Sequence, residues 1–330
     1  MKQLNLKHWS LGAALATLMA WTAPTQAQTV TLKLGEIYAG GHSNTMAAVR
    51  LAELVSQKTN GTLKIDVFAD SKLGNERELA ESTVAGTVDI APSGMSGIGR
   101  FIQPLQALEL PYIYKDLEHM ARVATAITPE VDRIFKENNL RNIGYFFLGP
   151  RSIAGRRAVR NVEEMKGLRL RVPESPLYVG MARALGAIPT PIPFPEAYTS
   201  LQTGVADAAE GEPASLFTTK WFEPAKFISL TEHIWHFRFI VVNGAAFDKL
   251  SPAHQKALLE AGREATLYQM SLVKEVNRDS LDKMKAGGAT IVDIPDRAPF
   301  RKALEPFNRD FVTKLGPAAL GLYEKAMAVQ

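Results

Sequence analysis

The chain has 330 residues, 22% of them charged and 46% hydrophobic, and a formal net charge of +4. This composition is that of a folded protein with a large core, and it excludes the disordered and membrane-embedded classes. Lysines and arginines are not clustered among aromatics, which leaves no electrostatic footprint for a nucleic acid, and the absence of cysteine removes disulfides and thiol chemistry.

In chain order, Lys2 and Lys7 precede the apolar run LGAALATLMAW, too short to span a bilayer, and TAPTQA ends in small residues. This predicts a signal peptide over residues 1–27, cleaved after Ala27, and an exported chain. The lack of a cysteine after the apolar run argues against a lipoprotein anchor, and a Gram-negative periplasm fits best. TVTLKLGEIY (29–38) alternates as a strand. NTMAAVRLAELVSQKTNG (44–61) spaces Met46, Val49, Ala52 and Val55 as one helix face and stops at Asn60-Gly61. LKIDVFAD (63–70), NERELAESTVAG (75–86) and TVDIA (87–91) continue as strand, helix and short strand. Strands alternating with helices imply a parallel sheet covered on both faces.

ELAESTVAGTVDIA (78–91) aligns with EAYTSLQTGVADAA (196–209): Glu78, Ser82, Gly86, Asp89 and Ala91 meet Glu196, Ser200, Gly204, Asp207 and Ala209. Each copy reads as a helix, a glycine stop and a strand ending in a small-residue loop, which predicts two similar α/β lobes in succession. SGMSGIG (93–99) lacks the residues of a phosphate-binding loop and reads as a loop lining a cleft. In GLRLRVPESP (167–176), Leu168, Leu170 and Val172 alternate with Arg169 and Arg171 before Pro173 stops the pairing. Taken alone, that pattern fits either a solvated strand face or an anion site. HIWHFRFIVVN (233–243) reads as a strand, so His233 and His236 face opposite sides and do not form a metal pair, while Trp235 can line a pocket. From Ser251 and Pro252 to Gly287-Gly288 no strong breaker appears, Gly262 being the weak point. A continuous helix of ~35 residues would reach about 50 Å and tie both lobes together. No nucleophile elbow, HExxH or other nucleophile-base arrangement is present.

KLGNERE (72–78), AGTVDIA (85–91), LELPYIY (108–114), MKGLRLRVP (165–173) and GVADAAEGEP (204–213) together resemble the DctP-type solute-binding proteins of tripartite ATP-independent periplasmic (TRAP) transporters, over essentially the whole mature chain. The resemblance implies an α/β, two-lobed periplasmic binding protein fold with hinge strands and a long lobe-spanning helix. It places lobe I at 28–148 plus 239–277 and lobe II at 149–238 plus 278–330. It also implies a monomeric receptor, not an enzyme, with no cofactor or metal, that closes on a small-molecule carboxylate and works with TRAP membrane subunits.

Residue by residue, the resemblance gives Arg171 a two-pronged salt bridge to the ligand carboxylate and puts Arg151 nearby as a second arginine. Phe194 becomes an aromatic wall, and Tyr38, His42, Glu76 and Ser93 become contacts from the first lobe. Where the family often has a ligand-binding asparagine, this chain has Gly211, followed by Glu212. Glu212, Glu174 and Glu76 are then either acceptors for ligand hydroxyls or partners of internal cations such as Arg169, Arg77 or Lys166. As acceptors they favour a hexuronate or aldonate. An aromatic acid, with Tyr38, Phe194 and Trp235 around its ring, or a C4-dicarboxylate leaves these carboxylates unexplained. An exported α/β hydrolase or lyase is the reading from another class, and a receptor of an ATP-driven importer would share the trap but not the MKGLRLRVP constellation.

Overall fold

The computed structural model describes residues 29–330; the expected signal peptide lies outside the described residues. The first lobe begins with β1 (Val30–Gly35), α1 (Ser43–Lys58), β2 (Leu63–Phe68), α2 (Glu76–Ala85) and β3 (Ile90–Ser93). A 3-10 turn at Gln103–Glu109, α3 (Leu117–Glu137) and the long β4 (Leu140–Gly155) follow. The second lobe contributes β5 (Arg169–Val172), α4 (Pro176–Ala184), β6 (Ile188–Pro191), α5 (Ala197–Thr203), β7 (Ala208–Gly211) and α6 (Pro213–Thr218). The chain returns along β8 (Phe227–Asn243) and ends with α7 (Gly244–Asp248), α8 (Pro252–Ala286), β9 (Thr290–Val292), α9 (Ala298–Leu315) and α10 (Pro317–Ala328).

All strands form one sheet in the order β2-β1-β3-β8-β4-β7-β5-β6, with β9 beside β8. The sheet is mixed, which corrects the expectation of a parallel one. Pairing is parallel within β2-β1-β3 and β6-β5-β7, and antiparallel where β3 meets β8, β8 meets β4 and β4 meets β7. The cause is that β4 and β8 carry the chain out of the first lobe and back, so they run in opposite directions through both lobes.

The repeated segments adopt the same local structure. Gly86 and Gly204 cap α2 and α5 in the left-handed region, at φ 79° and 76°, where a side chain would be strained. Asp89 then accepts the Lys33 N–H and Asp207 the Arg169 N–H, each tying the third strand of its lobe to the first. These acidic residues sit before the strands, so β3 begins at Ile90, three residues later than its hydrophobic pattern suggests.

Helix α1 corrects the spacing argument: Val49 is 45% exposed, while Ala47, Ala48, Leu51, Leu54 and Val55 are buried. A strict spacing of three falls about 60° short of a full turn at each step, so it walks off the face that alternating steps of three and four maintain. Helix α8 is continuous. Ala257, Leu258, Ala261 and Ala265 pack in the first lobe and Met284 in the second, so the helix ties the two together. Gly262 is a contact point, not a break, because a Cβ there would sit 2.2 Å from the Ile143 carbonyl oxygen of β4. Helix α9 packs on α4, and α10 on the Gln103–Glu109 turn and α3.

This topology places a site. Register runs β3 toward the second lobe, ending opposite Phe239 of β8, and β7 toward the first, ending opposite Ser152 of β4. The carboxyl ends of the parallel strands therefore face each other across a gap floored by the middle of β4 and β8, the crevice where open α/β sheets bind ligands.

Candidate functional site

A cavity occupies that gap, lined by both lobes and by the crossing strands. Its chemistry is dominated by three buried arginines: Arg151 on β4, Arg171 on β5 and Arg238 on β8. Each guanidinium lies over an aromatic ring, Tyr178, Trp221 and Tyr38 respectively, at 5.1–5.3 Å from the ring centroid. Such stacking fixes the plane of the fork and leaves its edges for hydrogen bonds.

What fills those edges differs. Arg238 donates Nη1 to Glu36 and Nη2 to Glu76 (3.0 Å) and to the Pro92 carbonyl. Arg151 grips Glu210 with Nε and Nη2 and donates Nη1 to Glu212 Oε2 at 3.2 Å. Burial opposes the charge of Arg151, but Glu210 with the Tyr178 phenol outweighs it and raises its pKa. Burial likewise works against Glu210, and Arg151 with His233 overcomes it, holding the carboxyl at about 2. Glu212 follows the same pattern: burial is outweighed by His42 and Arg151, which hold it well below the usual carboxylate range.

Arg171 differs from both. It is 1% exposed, and Nε and Nη2 donate to the Ile192 carbonyl at 2.9 and 2.6 Å. Nη1 has no hydrogen-bond partner and no carboxylate pairs with the side chain among the described residues. Burial pulls its pKa down to about 10. An uncompensated buried cation costs several kcal/mol. The free Nη1 edge, with the second hydrogen of Nη2, is an end-on fork for one carboxylate.

Of the other residues singled out from the sequence, Glu76, Glu174, Phe194, Glu212 and Tyr38 line the cavity together with Arg151 and Arg171. Phe194 stands edge-on to Tyr38 across the lobes and leans on Trp221. Glu76 is held by Arg238 and by the Gly94 N–H, and Glu212 by Arg151 and Ser215; Arg169, one of the partners considered for them, belongs to Asp207. Glu174 is half-buried, and its carbonyl accepts from Arg100 of the first lobe.

Three residues stand off the wall. His42 caps α1 through Nδ1, stacks on Tyr38 at 3.8 Å, and reaches Glu212 with Nε2 at 3.5 Å, so it supports the wall from behind. Ser93 is buried behind Glu76, its hydroxyl taken by Glu76 and the Ile98 N–H, and Gly94 and Ser96 line the cavity in its place. Trp235 packs against the apolar core, and its neighbour His236 faces the cavity. Adjacent strand residues point to opposite faces, and sequence alone does not say which face meets the cleft.

Sequence reasoning missed Arg238, His236, Glu109 and Tyr178 as cavity-lining residues and considered Arg77, which also lines the cavity, only as an internal partner. Arg238 in HFRFIVV and Glu109 in LELPYIY are single charges inside apolar runs. That signal was available, because a charge is rarely buried without a partner. His236 is kept neutral by burial and then by Arg151, which lower its pKa to about 3, and its Nδ1 is unpartnered among the described residues. The wall thus offers one anion fork, several carboxylate acceptors and neutral donors. It is suited to binding an acid that carries hydroxyls.

The model of bacterial extracellular solute-binding protein, family 7 (DctP) matches residues 34–315. The 2,3-diketo-L-gulonate-binding periplasmic protein YiaO of Escherichia coli K12 is 30% identical over 329 residues, 99% of this chain and 100% of that protein. A TRAP periplasmic solute-binding protein of Roseobacter denitrificans, solved with β-D-glucuronate bound, is 30% identical and superimposes with a TM-score of 0.87 over 91% of this chain and all of that one. Another from the same organism, with L-galactonate bound, gives 31% identity and a TM-score of 0.84 over 91% of this chain and 99% of that one. The chain belongs to the DctP family, family 7 of the bacterial extracellular solute-binding proteins: it is a periplasmic solute-binding protein of the TRAP type, not an enzyme.

Proposed function

We propose that the protein captures a hexuronate or aldonate as a monoanion and presents it, enclosed between the lobes, to TRAP membrane subunits. The observation that carries this reading is Arg171, a buried cation whose free edge opens on the cavity and which has no salt-bridge partner among the described residues. The ligand carboxylate meets that edge end-on, while the guanidinium stays seated on the Ile192 carbonyl and Trp221. Arg151 acts as a scaffold: its edges are filled by Glu210 and Glu212, so it shapes the wall and leaves the ligand's charge to Arg171.

Glu76 and Glu212 have lone pairs left over for hydroxyls, which is how carboxylates recognise sugars, and Phe194 and Tyr38 cover the apolar face. A second ligand carboxylate would meet Glu76 and Glu212, so a C4-dicarboxylate fits poorly. The bound glucuronate and galactonate of the related structures support the same class. Lobe closure is favoured only by the ligand's better fit to the closed state, so a partner that reads the closed shape reads occupancy.

Calorimetry and thermal-shift titration against D-glucuronate, D-galacturonate, L-galactonate, benzoate and succinate test this. Sugar acids bind and raise the melting temperature, and Arg171→Ala abolishes both effects. Binding that survives Arg171→Ala, or hits confined to succinate or benzoate, overturns the reading.

A further inference from the structure

Four carboxyl groups are buried in or around the cavity: Glu36, Glu109, Glu210 and Glu212. Three of them pair with a buried arginine. Glu109, from the Gln103–Glu109 turn of the first lobe, has no cationic partner among the described residues. Its Oε2 accepts the Met95 N–H at 3.0 Å, and its Oε1 meets the phenol of Tyr178, which α4 brings from the second lobe. Both side chains line the cavity.

Counting hydrogens shows what this pair can do. With Glu109 ionised, the single phenolic hydrogen is consumed between the two side chains and neither donates further. With Glu109 protonated, Oε2 is already occupied as an acceptor, so the proton sits on Oε1. The pair then holds two O–H groups and uses one internally. Whichever way the internal bond runs, one O–H remains to donate into the cavity.

We propose that Glu109 enters the closed cavity as a neutral acid, so that capture of one sugar-acid molecule takes up one proton from solvent and the Glu109–Tyr178 pair gives one O–H donor to an uncharged ligand oxygen. This rests on the sugar-acid reading above and deepens it. It adds a selective element that favours a hydroxyl, ring or carbonyl oxygen at this end of the ligand.

The groups that face Glu109 are Tyr178 from α4, Arg151 from β4, Glu76 from α2 and Tyr114 beyond its own turn, whose hydroxyl is committed to the Leu108 carbonyl. Burial pushes Glu109 up from 4.5 to about 7, against the Tyr178 hydrogen bond and Arg151, which favour the ionised form. When the lobes part, Tyr178 withdraws and Glu109 meets water and returns toward its ordinary value. The closed state therefore holds the extra proton between about pH 4.5 and 7, and the open state does not. Affinity falls with rising pH across that window and levels off above it, once both states are ionised.

The test is calorimetry with D-glucuronate and L-galactonate in buffers of different ionisation enthalpy. At about pH 6 roughly one proton is taken up per acid bound and at about pH 8.5 none, with affinity falling up to about tenfold per pH unit inside the window. Glu109→Gln removes the uptake attributable to this group and flattens that fall, which separates it from the buried histidines. Tyr178→Phe keeps the uptake and extends its window upward, because the lost hydrogen bond favoured the ionised acid. No uptake by the wild type at about pH 6, or an uptake unchanged in Glu109→Gln, overturns the proposal. If neither acid binds, the sugar-acid reading fails by itself. Infrared difference spectroscopy of the protein with and without bound acid reads the proton directly: a protonated-carboxyl band that appears on binding at about pH 6, fades as pH passes about 7 and is missing from Glu109→Gln supports the proposal, and its absence overturns it.

Discussion

Arg151 and Arg171 lie in one cavity, both buried, both stacked on an aromatic ring, and they do opposite jobs. Arg151 is surrounded by anions of its own chain, Glu210 and Glu212. Among the described residues Arg171 donates only to a carbonyl oxygen and keeps one edge free. The fold completes the first ion pair itself and, in the function proposed above, leaves the second to the ligand. A buried arginine is therefore not by itself a ligand site; the site is where the protein withholds the counter-charge.

The strongest way to break this contrast is to remove each cation in turn. Arg151→Met strands two buried carboxylates and lowers stability by about 3–5 kcal/mol, read by urea melts. Arg171→Met removes a buried charge that had no partner, so the ligand-free protein keeps or raises its melting temperature while D-glucuronate binding weakens by about 2–5 kcal/mol. Equal destabilisation by the two substitutions would erase the distinction.

Acid sharpens it next. Burial raises the Glu210 pKa, but Arg151 and His233 more than reverse that and bring it to about 2, below its ordinary 4.5. A carboxyl with a lowered folded-state pKa contributes stability that is full above the unfolded value and is lost as pH falls through the folded one. Melting temperatures of the wild type therefore drop between about pH 4.5 and 2. That drop is shallower in Glu210→Gln and changes less in Arg171→Met.

The smallest effect is expected from Glu212→Gln, which loosens one of the bonds to Arg151 and removes an acceptor. D-glucuronate affinity falls about tenfold, or ~1.4 kcal/mol, and succinate gains relative to it by competition calorimetry. An equal loss for benzoate would show that Glu212 acts on the shape of the cavity and not on ligand hydroxyls.

Much of the architecture was legible because it is written in local chemistry. The glycine stops at Gly86 and Gly204, the acid after each, and the uninterrupted run from Pro252 predicted the repeated units and the tying helix. The motif around Arg171 singled it out, and the structure places it in the cavity wall. The partners were not: Glu210 reaches Arg151 across 59 residues and Glu76 reaches Arg238 across 162. The expectation that Trp235 lines the pocket fails, and His236 lines it, because strand alternation gives two faces without saying which one meets the cleft. Ser93 and His42 were placed in the right loops, but their hydroxyl and ring nitrogens are taken by neighbours.

The sequence by itself determined the two-lobed class, the order of its elements and the residue types available to hold an acid, because periodicity, capping and glycine geometry act over a few residues. Only the tertiary structure decided which buried charges are neutralised from within. Ion pairing is settled by distances of a few ångströms between strands far apart in the chain, and burial makes every unpaired charge count.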